Sequence, residues 1–502
     1  MASSGAGGRW LRESLASGAR LSADSRRVGP GDGFLAFAGD RSDGRASIAQ
    51  ALEQGAAAVL FDADGVPKLP RTDIPMRGLP GLRQLAGEVA SVFYDDPSAM
   101  LAVVAFTGTN GKTTCADWCA AGLAKRFATS ASLGTLGLRR HPRGAAGFVA
   151  GDAPGMLTTP DAVALQDTLA RLRDDGVGHV TIEASSIGIE RRRLAGCRIA
   201  VAVFTNLSRD HLDYHGNMDA YAKAKSELFA MPGLRAAAIA GDDPAAAVML
   251  ARLPSGLPLI MFGERPVFPA GARLLRLRGL RPTAAGSILE IDGDFGAARV
   301  ELPVLGSFNA RNALAVLASW LLSGVPFETG CEWLRGLAPV PGRLQSVGGA
   351  DAPLVVIDYA HTPDALVAVL EALRPNARAR GGRLWCVFGC GGDRDAGKRP
   401  LMAAAAQAHA DLVIVTSDNP RGESPQAIID DIRAGFSRAP HAEIADRAQA
   451  IASAILNADA ADVILLAGKG HEPYQEVAGE RRPFSDQQVA QAGLAVRAGS
   501  LH

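Results

Sequence analysis

Val103-Val104-Ala105-Phe106-Thr107-Gly108-Thr109-Asn110-Gly111-Lys112-Thr113-Thr114 is the stretch whose reading decides the fold. An apolar run stops at small residues, gives Gly-Lys-Thr-Thr, and passes into a helical pattern over residues 115–127. That is the strand–loop–helix order of a phosphate-binding loop. Its glycines let backbone N–H groups approach phosphate oxygens. The helix adds its positive end, Lys112 a cation, and the Thr113 hydroxyl a ligand for Mg²⁺. The usual GxxxxGK[ST] spacing needs glycine at 106, where Phe106 stands, so this loop is a shorter form over residues 108–114.

Moving outward, residues 99–338 alternate strand and helix patterns around this loop. Val180-Thr181-Ile182 leads into Glu183-Ala184-Ser185-Ser186. The run 201–204 leads into Thr205-Asn206-Leu207-Ser208-Arg209-Asp210-His211-Leu212-Asp213, and 236–240 into Gly241-Asp242-Asp243. Ligands of open α/β sheets collect at such carboxyl ends. Glu183 and His211 are therefore candidates for metal work. Alternation in Ile288-Leu289-Glu290-Ile291 predicts an antiparallel accessory piece, and residues 308–322 a helix. Lys225, in Tyr221-Ala222-Lys223-Ala224-Lys225-Ser226-Glu227-Leu228-Phe229, reads by pattern as an exposed helical lysine.

Two further domains flank this one, with boundaries near Pro97-Ser98 and Pro339–Pro341. Residues 1–98 read as a small α/β domain with polar turns, including Asp24-Ser25-Arg26 and Gly39-Asp40-Arg41-Ser42-Asp43-Gly44. In residues 339–502 the pattern restarts as a second doubly wound domain. Its strands 354–357, 384–388, 412–415 and 463–466 end in Asp358-Tyr359-Ala360-His361, Gly389-Cys390-Gly391-Gly392-Asp393-Arg394, Thr416-Ser417-Asp418-Asn419-Pro420-Arg421 and Ala467-Gly468-Lys469-Gly470-His471-Glu472. A helix is predicted over 363–373, with proline in its first turn. Arg394 and Arg421 can each grip a carboxylate through a two-point fork. Asp418 and Glu472 can hold an ammonium, so these strand ends suit a substrate carrying both groups.

Bulk properties narrow the class. At 502 residues the chain exceeds one core. Composition is ordinary, 48% hydrophobic and 21% charged, and 52 basic residues balance 52 acidic ones. Overall charge thus gives no argument for nucleic acid or an anionic membrane as partner. Residues 1–8 lack an apolar signal core, and no run approaches the ~20 apolar residues that span a bilayer. A cytoplasmic, monomeric protein is expected. Cys115, Cys119, Cys197, Cys331, Cys386 and Cys390 sit in or beside apolar runs without CxxC spacing, which predicts buried free thiols.

With these residues in view, the chain resembles the ATP-dependent Mur ligases of peptidoglycan synthesis. The likeness runs from Asp24 to about Asp486. It rests on the short loop, Thr158-Thr159-Pro160, Glu183-Ala184-Ser185-Ser186, Asn206-Leu207-Ser208-Arg209-Asp210-His211-Leu212-Asp213-Tyr214-His215, Gly306-Ser307-Phe308-Asn309, Pro341-Gly342-Arg343-Leu344, Asp358-Tyr359-Ala360-His361-Thr362-Pro363, Gly389-Cys390-Gly391-Gly392-Asp393-Arg394-Asp395 and Gly468-Lys469-Gly470-His471-Glu472. Asp418-Asn419-Pro420-Arg421 looks like the mark of the diaminopimelate-adding branch.

The resemblance implies three domains and an ADP-forming ligation through an acyl phosphate. It places ATP against Gly108, Thr109, Asn110, Gly111, Lys112, Thr113, Thr114, Asn309, Arg343, Asp358 and His361. Magnesium would meet Thr113, Glu183, His211 and a carbamylated Lys225. The UDP-muramoyl-dipeptide would meet Ser25, Asp40, Arg41, Ser42, Thr158, Thr159, Ser185, Arg191 and Arg193. Diaminopimelate would meet Arg394, Asp418, Asn419, Pro420, Arg421, Gly468 and Glu472. Ile187 stands where many members have His, Arg191 where some have Gln, and Leu157 where some have Asn. The competing readings are a lysine-adding ligase of the same family, a folylpolyglutamate synthetase-like ligase, and a nucleotide switch that makes no bond.

Overall fold

A computed structural model describes residues 2–39, 42–65, 69–144, 148–151, 157–267 and 269–500. The chain divides into two compact units. The first holds residues 1–276, 293–296 and 312–330; the second holds 277–292, 297–311 and 331–502.

The first unit contains two sheets. Near the N-terminus, Leu21–Ser22, Gly33–Ala36, Ala58–Asp62 and Met76–Leu79 pair in that order, all parallel. Strand alternation sends Leu35 and Leu60 to one face, where Leu11, Leu82 and Val89 of the helices Ala2–Ser14 and Leu82–Phe93 cover them. Phe34 and Val59 point the other way, onto Ile48 and Ala51.

In the second sheet of this unit, Ala102–Thr107 is central. Val201–Phe204 pairs parallel on one side and His179–Glu183 on the other. Ala236–Ala240 and Leu259–Gly263 extend the first side, and Ser130–Gly134 the second, again parallel. Gly137–His141 and Val149–Gly151 then add antiparallel edges. Central strands buried on both faces carry unbroken apolar runs rather than alternation, as in Val103 to Phe106. The phosphate loop therefore leaves the sheet between two strands whose carboxyl ends bear Glu183 and Thr205.

The second unit is built on a six-stranded sheet in the order Gln345–Gly348, Leu354–Asp358, Val463–Ala467, Leu384–Phe388, Leu412–Val415, Ala442–Glu443. Only the first pair is antiparallel. Val356, Cys386, Phe388 and Leu465 face the helices Pro363–Arg380, Lys398–His409 and Pro425–Arg433. Val355, Trp385, Val387 and Ile464 face Arg447–Asn457 and Asp486–Ser500. The last long strand, Val463–Ala467, inserts between Leu354–Asp358 and Leu384–Phe388, so the order reverses there. Crevices at such reversals bind ligands. The expected accessory piece is present as Ser287–Gly293 paired antiparallel with Ala298–Leu302. Among the described residues, no helix is long and apolar enough to cross a membrane.

Candidate active site

The loop after Ala102–Thr107 turns on two glycines in the left-handed region, Gly108 at φ 151° and Gly111 at φ 87°. A Cβ on Gly108 would lie 2.0 Å from Thr205 Oγ1, and one on Gly111 2.3 Å from Asn312 Oδ1. Neither position accepts a side chain without movement. The neighbouring strand end fastens the loop. Thr109 N–H donates to Asn206 O (2.8 Å), Asn110 N–H to Asn206 Oδ1 (3.0 Å), and Thr205 Oγ1–H to Asn110 O (2.7 Å). Lys112 opens the helix Lys112–Arg126 and reaches back over the loop, its Nζ donating to Gly108 O and Thr109 O, both at 2.9 Å. Thr114 is buried in the first turn.

Thr113 and Glu183 meet, as the sequence reading requires. Thr113 Oγ1–H donates to Glu183 Oε2 at 2.8 Å, and both residues are buried. Thr135, which the sequence reading missed, completes the cradle: its N–H donates to Glu183 Oε1 at 2.7 Å and its hydroxyl lies 3.2 Å from Oε2. The only signal for it was Gly134 before it, where a Cβ would sit 2.0 Å from Glu183 Oε1. Among the described residues no cluster of three or more His, Cys, Asp or Glu forms a metal cage. The Thr113–Glu183 oxygen pair fits Mg²⁺ all the same, because that ion takes few protein ligands and completes its shell with phosphate and water.

Lys225 corrects the pattern-based expectation of an exposed lysine: it is 1% exposed. Its Nζ donates to Gly108 O at 2.8 Å and sits 4.3 Å from the centre of the Tyr221 ring. Two lysines thus share one carbonyl, since Lys112 also uses Gly108 O. Burial first, then the charge of Lys112, pushes the Lys225 amine down to about 6, against an opposing pull from Asp210. A neutral amine at pH 7 is a nucleophile for carbon dioxide. His211 starts a short helix at φ 52°, stays exposed, and contacts Asp210 and the Tyr221 ring edge.

Thr159 ties the substrate-side segment to the same strand end. Its hydroxyl donates to Glu183 O (2.7 Å), accepts from Ser185 N–H (3.0 Å) and lies 2.9 Å from Ser185 Oγ. Thr135 Oγ1–H lies 3.3 Å from Thr158 Oγ1. Arg193 Nη1 donates to Thr159 O, while Arg191 packs on the Tyr214 ring and donates to its hydroxyl. Thr158, Thr159, Ser185 and Arg193 therefore belong to one cluster with Glu183, and Arg191 points to Tyr214. In the loops of the small N-terminal sheet, Ser25 Oγ–H donates to Gln50 Oε1 at 2.8 Å, and Ser42 is exposed with its carbonyl bonded to Gly39 N–H. Asp40 and Arg41 lie outside the described residues.

The second unit carries the other predicted residues. Asp358 is buried and accepts from Leu344 N–H and Ala360 N–H, both at 2.9 Å, which anchors the turn holding Arg343. Arg343 stacks 5.5 Å above Tyr359, and the exposed His361 bonds Tyr359 O through Nδ1. Asn309 is buried and gives its amide N–H to Leu305 O.

At the reversal point, Asp418, Asn419 and Glu472 come together. Asn419 Nδ2–H donates to Glu472 Oε2 at 2.8 Å. Burial pushes the Asp418 carboxyl up, against the pull of Arg447 and Lys469. Gly468, at φ 113°, brings its N–H to Asp358 O. Arg421 sits at φ 53°, pinned on both backbone sides by the hairpin of Tyr474–Val477 and Glu480–Pro483. Its N–H donates to Glu476 O (3.0 Å), and its carbonyl accepts from Ala478 N–H (2.7 Å). Its guanidinium donates to Gly392 O at 2.8 Å and faces Glu476 at 3.7 Å. A Cβ on Gly392 would meet the Pro420 carbonyl, so that glycine is what lets the two turns touch. Pro420 is buried, and Arg394 is exposed after Gly392.

Three family models match the chain in order. The Mur ligase family catalytic domain matches residues 19–94, the Mur ligase middle domain 106–320, and the Mur ligase glutamate ligase domain 342–470. Curated relatives are similar over nearly their whole length. The UDP-N-acetylmuramoyl-L-alanyl-D-glutamate–2,6-diaminopimelate ligase of Ralstonia nicotianae is 46% identical, covering 97% of this chain and 95% of its own. That of Pseudomonas aeruginosa is 47% identical, covering 95% and 94%. A solved structure of a ligase of the same name is 36% identical, with a TM-score of 0.68 and 95% of each chain covered.

Proposed function

The chain belongs to the Mur ligase family, and from that premise we propose that it is an ATP-dependent ligase of peptidoglycan precursor synthesis. It joins meso-diaminopimelate to the D-glutamate side-chain carboxylate of UDP-N-acetylmuramoyl-L-alanyl-D-glutamate. The observation that carries the choice of amino acid is Arg421, whose guanidinium is held on Gly392 O in the same domain as the Asn419–Glu472 pair. Diaminopimelate is lysine with one extra carboxylate, and an arginine fork is the group that reads it. The lysine-adding alternative has no use for this arginine.

Residues 1–98 carry the UDP end, 99–338 the nucleotide and 339–502 the amino acid. ATP phosphorylates the glutamate carboxylate; the diaminopimelate amine attacks the acyl phosphate; a tetrahedral intermediate collapses to amide and phosphate. The chain's part is positioning and charge neutralisation. Loop N–H groups and Lys112 hold the phosphates. Thr113 and Glu183 would hold Mg²⁺, joined by His211 and a carbamylated Lys225, the ion supplying neutralisation of phosphate charge. Carbamylation supplies what a lysine otherwise lacks, since an ammonium cannot ligate a cation. Thr158, Thr159, Ser185 and Arg193 line the muramoyl-dipeptide, and Arg343, Asp358, His361 and Asn309 serve the nucleoside. The enzyme works as a cytoplasmic monomer on these small molecules.

The test is direct: purified protein, ATP and UDP-muramoyl-dipeptide, with diaminopimelate or lysine in parallel. Phosphate release that requires the dipeptide and diaminopimelate together supports the reading. Equal use of lysine overturns the amino-acid assignment, and amine-independent hydrolysis favours a nucleotide switch.

A further inference from the structure

Lys469 is completely enclosed, with none of its side chain exposed. A buried ammonium is costly unless acceptors surround it, and here they come from two strand ends. Nζ donates to Asn419 Oδ1 at 3.0 Å and to Glu472 Oε2 at 3.2 Å, and lies 3.7 Å from Asp418 Oδ1. Asn419 is thereby fixed in orientation. Its Oδ1 also accepts from Glu476 N–H (2.9 Å), and its Nδ2–H donates to Glu472 Oε2. Among the described residues, Asn419 and Lys469 both donate to Glu472 Oε2, which leaves Oε1 for an incoming cation. Asp418 Oδ1 is enclosed and accepts no hydrogen bond among the described residues.

We propose that Lys469 is a positioning residue of the amino-acid site: it aims Glu472 and Asn419 and sets its charge beside Asp418, so that these strand ends receive one ammonium group of diaminopimelate. This rests on the assignment of Asp418, Asn419 and Glu472 to that substrate. Two carboxylates against one lysine leave one negative charge for the ligand to neutralise. The other charges facing Asp418 are Arg447, which stabilises its ionised form, and Glu472 and Asp486, which oppose it. Tyr359 and Cys390 also lie in its field. Of the two cations that favour ionised Asp418, losing Lys469 leaves Arg447, so Asp418 takes up a proton at higher pH.

Steady-state kinetics of the full chain tests this. In Lys469→Met, the KM for diaminopimelate rises about 30-fold or more, as for one partner of a buried hydrogen-bonded charge pair. The KM for ATP stays the same. The acid limb of the kcat/KM profile for diaminopimelate moves up by about one pH unit. Should the single variant not fold, Lys469→Met/Glu472→Gln keeps the local charge balance, and its acid limb lies above that of Glu472→Gln alone. A KM rise for ATP and diaminopimelate alike with an unmoved acid limb overturns the proposal in favour of a purely structural lysine. The same holds if the double variant and Glu472→Gln share one limb. If Asp418→Asn and Glu472→Gln leave the diaminopimelate KM unchanged, it is the substrate assignment that falls.

Discussion

An ordinary lysine is a cation at neutral pH; Lys225, with its amine pushed down to about 6, is not. The sign of the stability effect follows. Between about 6 and the usual 10.5, the unfolded chain binds a proton that the folded chain does not, so stability rises with pH across that window. Lys225→Met, which has no such proton, is expected to be more stable than the parent at pH 7 in denaturant melts. The gap narrows as pH climbs toward 10.5, and a gap that stays constant excludes the buried neutral amine. The same substitution removes activity. For Lys225→Ala, short carboxylic acids such as acetate restore part of it by standing in for the carbamate; full activity without additives sinks the carbamate role. Arg421→Ala belongs to this scale too. Loss of its fork costs about 2–5 kcal/mol in diaminopimelate binding, seen as a raised KM with ATP affinity spared. Sequence made Arg421 conspicuous because it follows a strand and a proline turn. Burial of Lys225 was illegible, because the carbonyl it meets, on Gly108, is 117 residues away. Local periodicity carries no information over that separation.

At the scale of elements, the apolar strands and the polar residues after them could be read directly. A parallel strand buried on both faces must be apolar throughout, and its ligand-bearing end must be polar. Elements whose making is tertiary escaped. The helix expected over 363–373 runs as Pro363–Arg380, through Pro375. Beyond that proline, Asn376 donates to Thr283 O and Gly286 O and Ala377 is fully buried, which offsets the lost backbone bond. The hairpin that pins Arg421 has four exposed residues in its second strand, so no alternation announces it. Gly111→Ala is expected to abolish ATP binding in a nucleotide titration, because a Cβ meets Asn312 and the backbone is left-handed. Asp161 caps the helix Ala162–Asp174 through the N–H groups of Val163 and Ala164. Asp161→Ala is expected to lose about 0.5–2 kcal/mol in denaturant unfolding without changing KM for any substrate.

At the scale of the molecule, the second unit has a core on each face of its six-stranded sheet and encloses an ion pair. Arg447 and Asp486 are wholly unexposed, joined by two bonds of 2.7 Å, and Arg447 also donates to Ala467 O at 3.0 Å. This pair ties the helices Arg447–Asn457 and Asp486–Ser500 to the strand end that leads into Gly468. Arg447→Leu alone is expected to cost about 3–5 kcal/mol because a buried carboxylate is left uncompensated, while Arg447→Leu/Asp486→Leu costs much less. Equal losses in the two variants, by denaturant titration, contradict that account.

The six buried thiols lend themselves to a further use. Cys115, Cys119 and Cys197 fall in the first unit; Cys331, Cys386 and Cys390 fall in the second. Burial pushes the thiols of Cys119, Cys197 and Cys390 up to about 12, so alkylating reagents meet almost no thiolate in the native protein. Each unit therefore contains three natural clocks for its own breathing. Pulsed alkylation followed by peptide mass analysis would time the openings of the nucleotide-loop unit and of the Arg421 unit separately, with no label engineered into either.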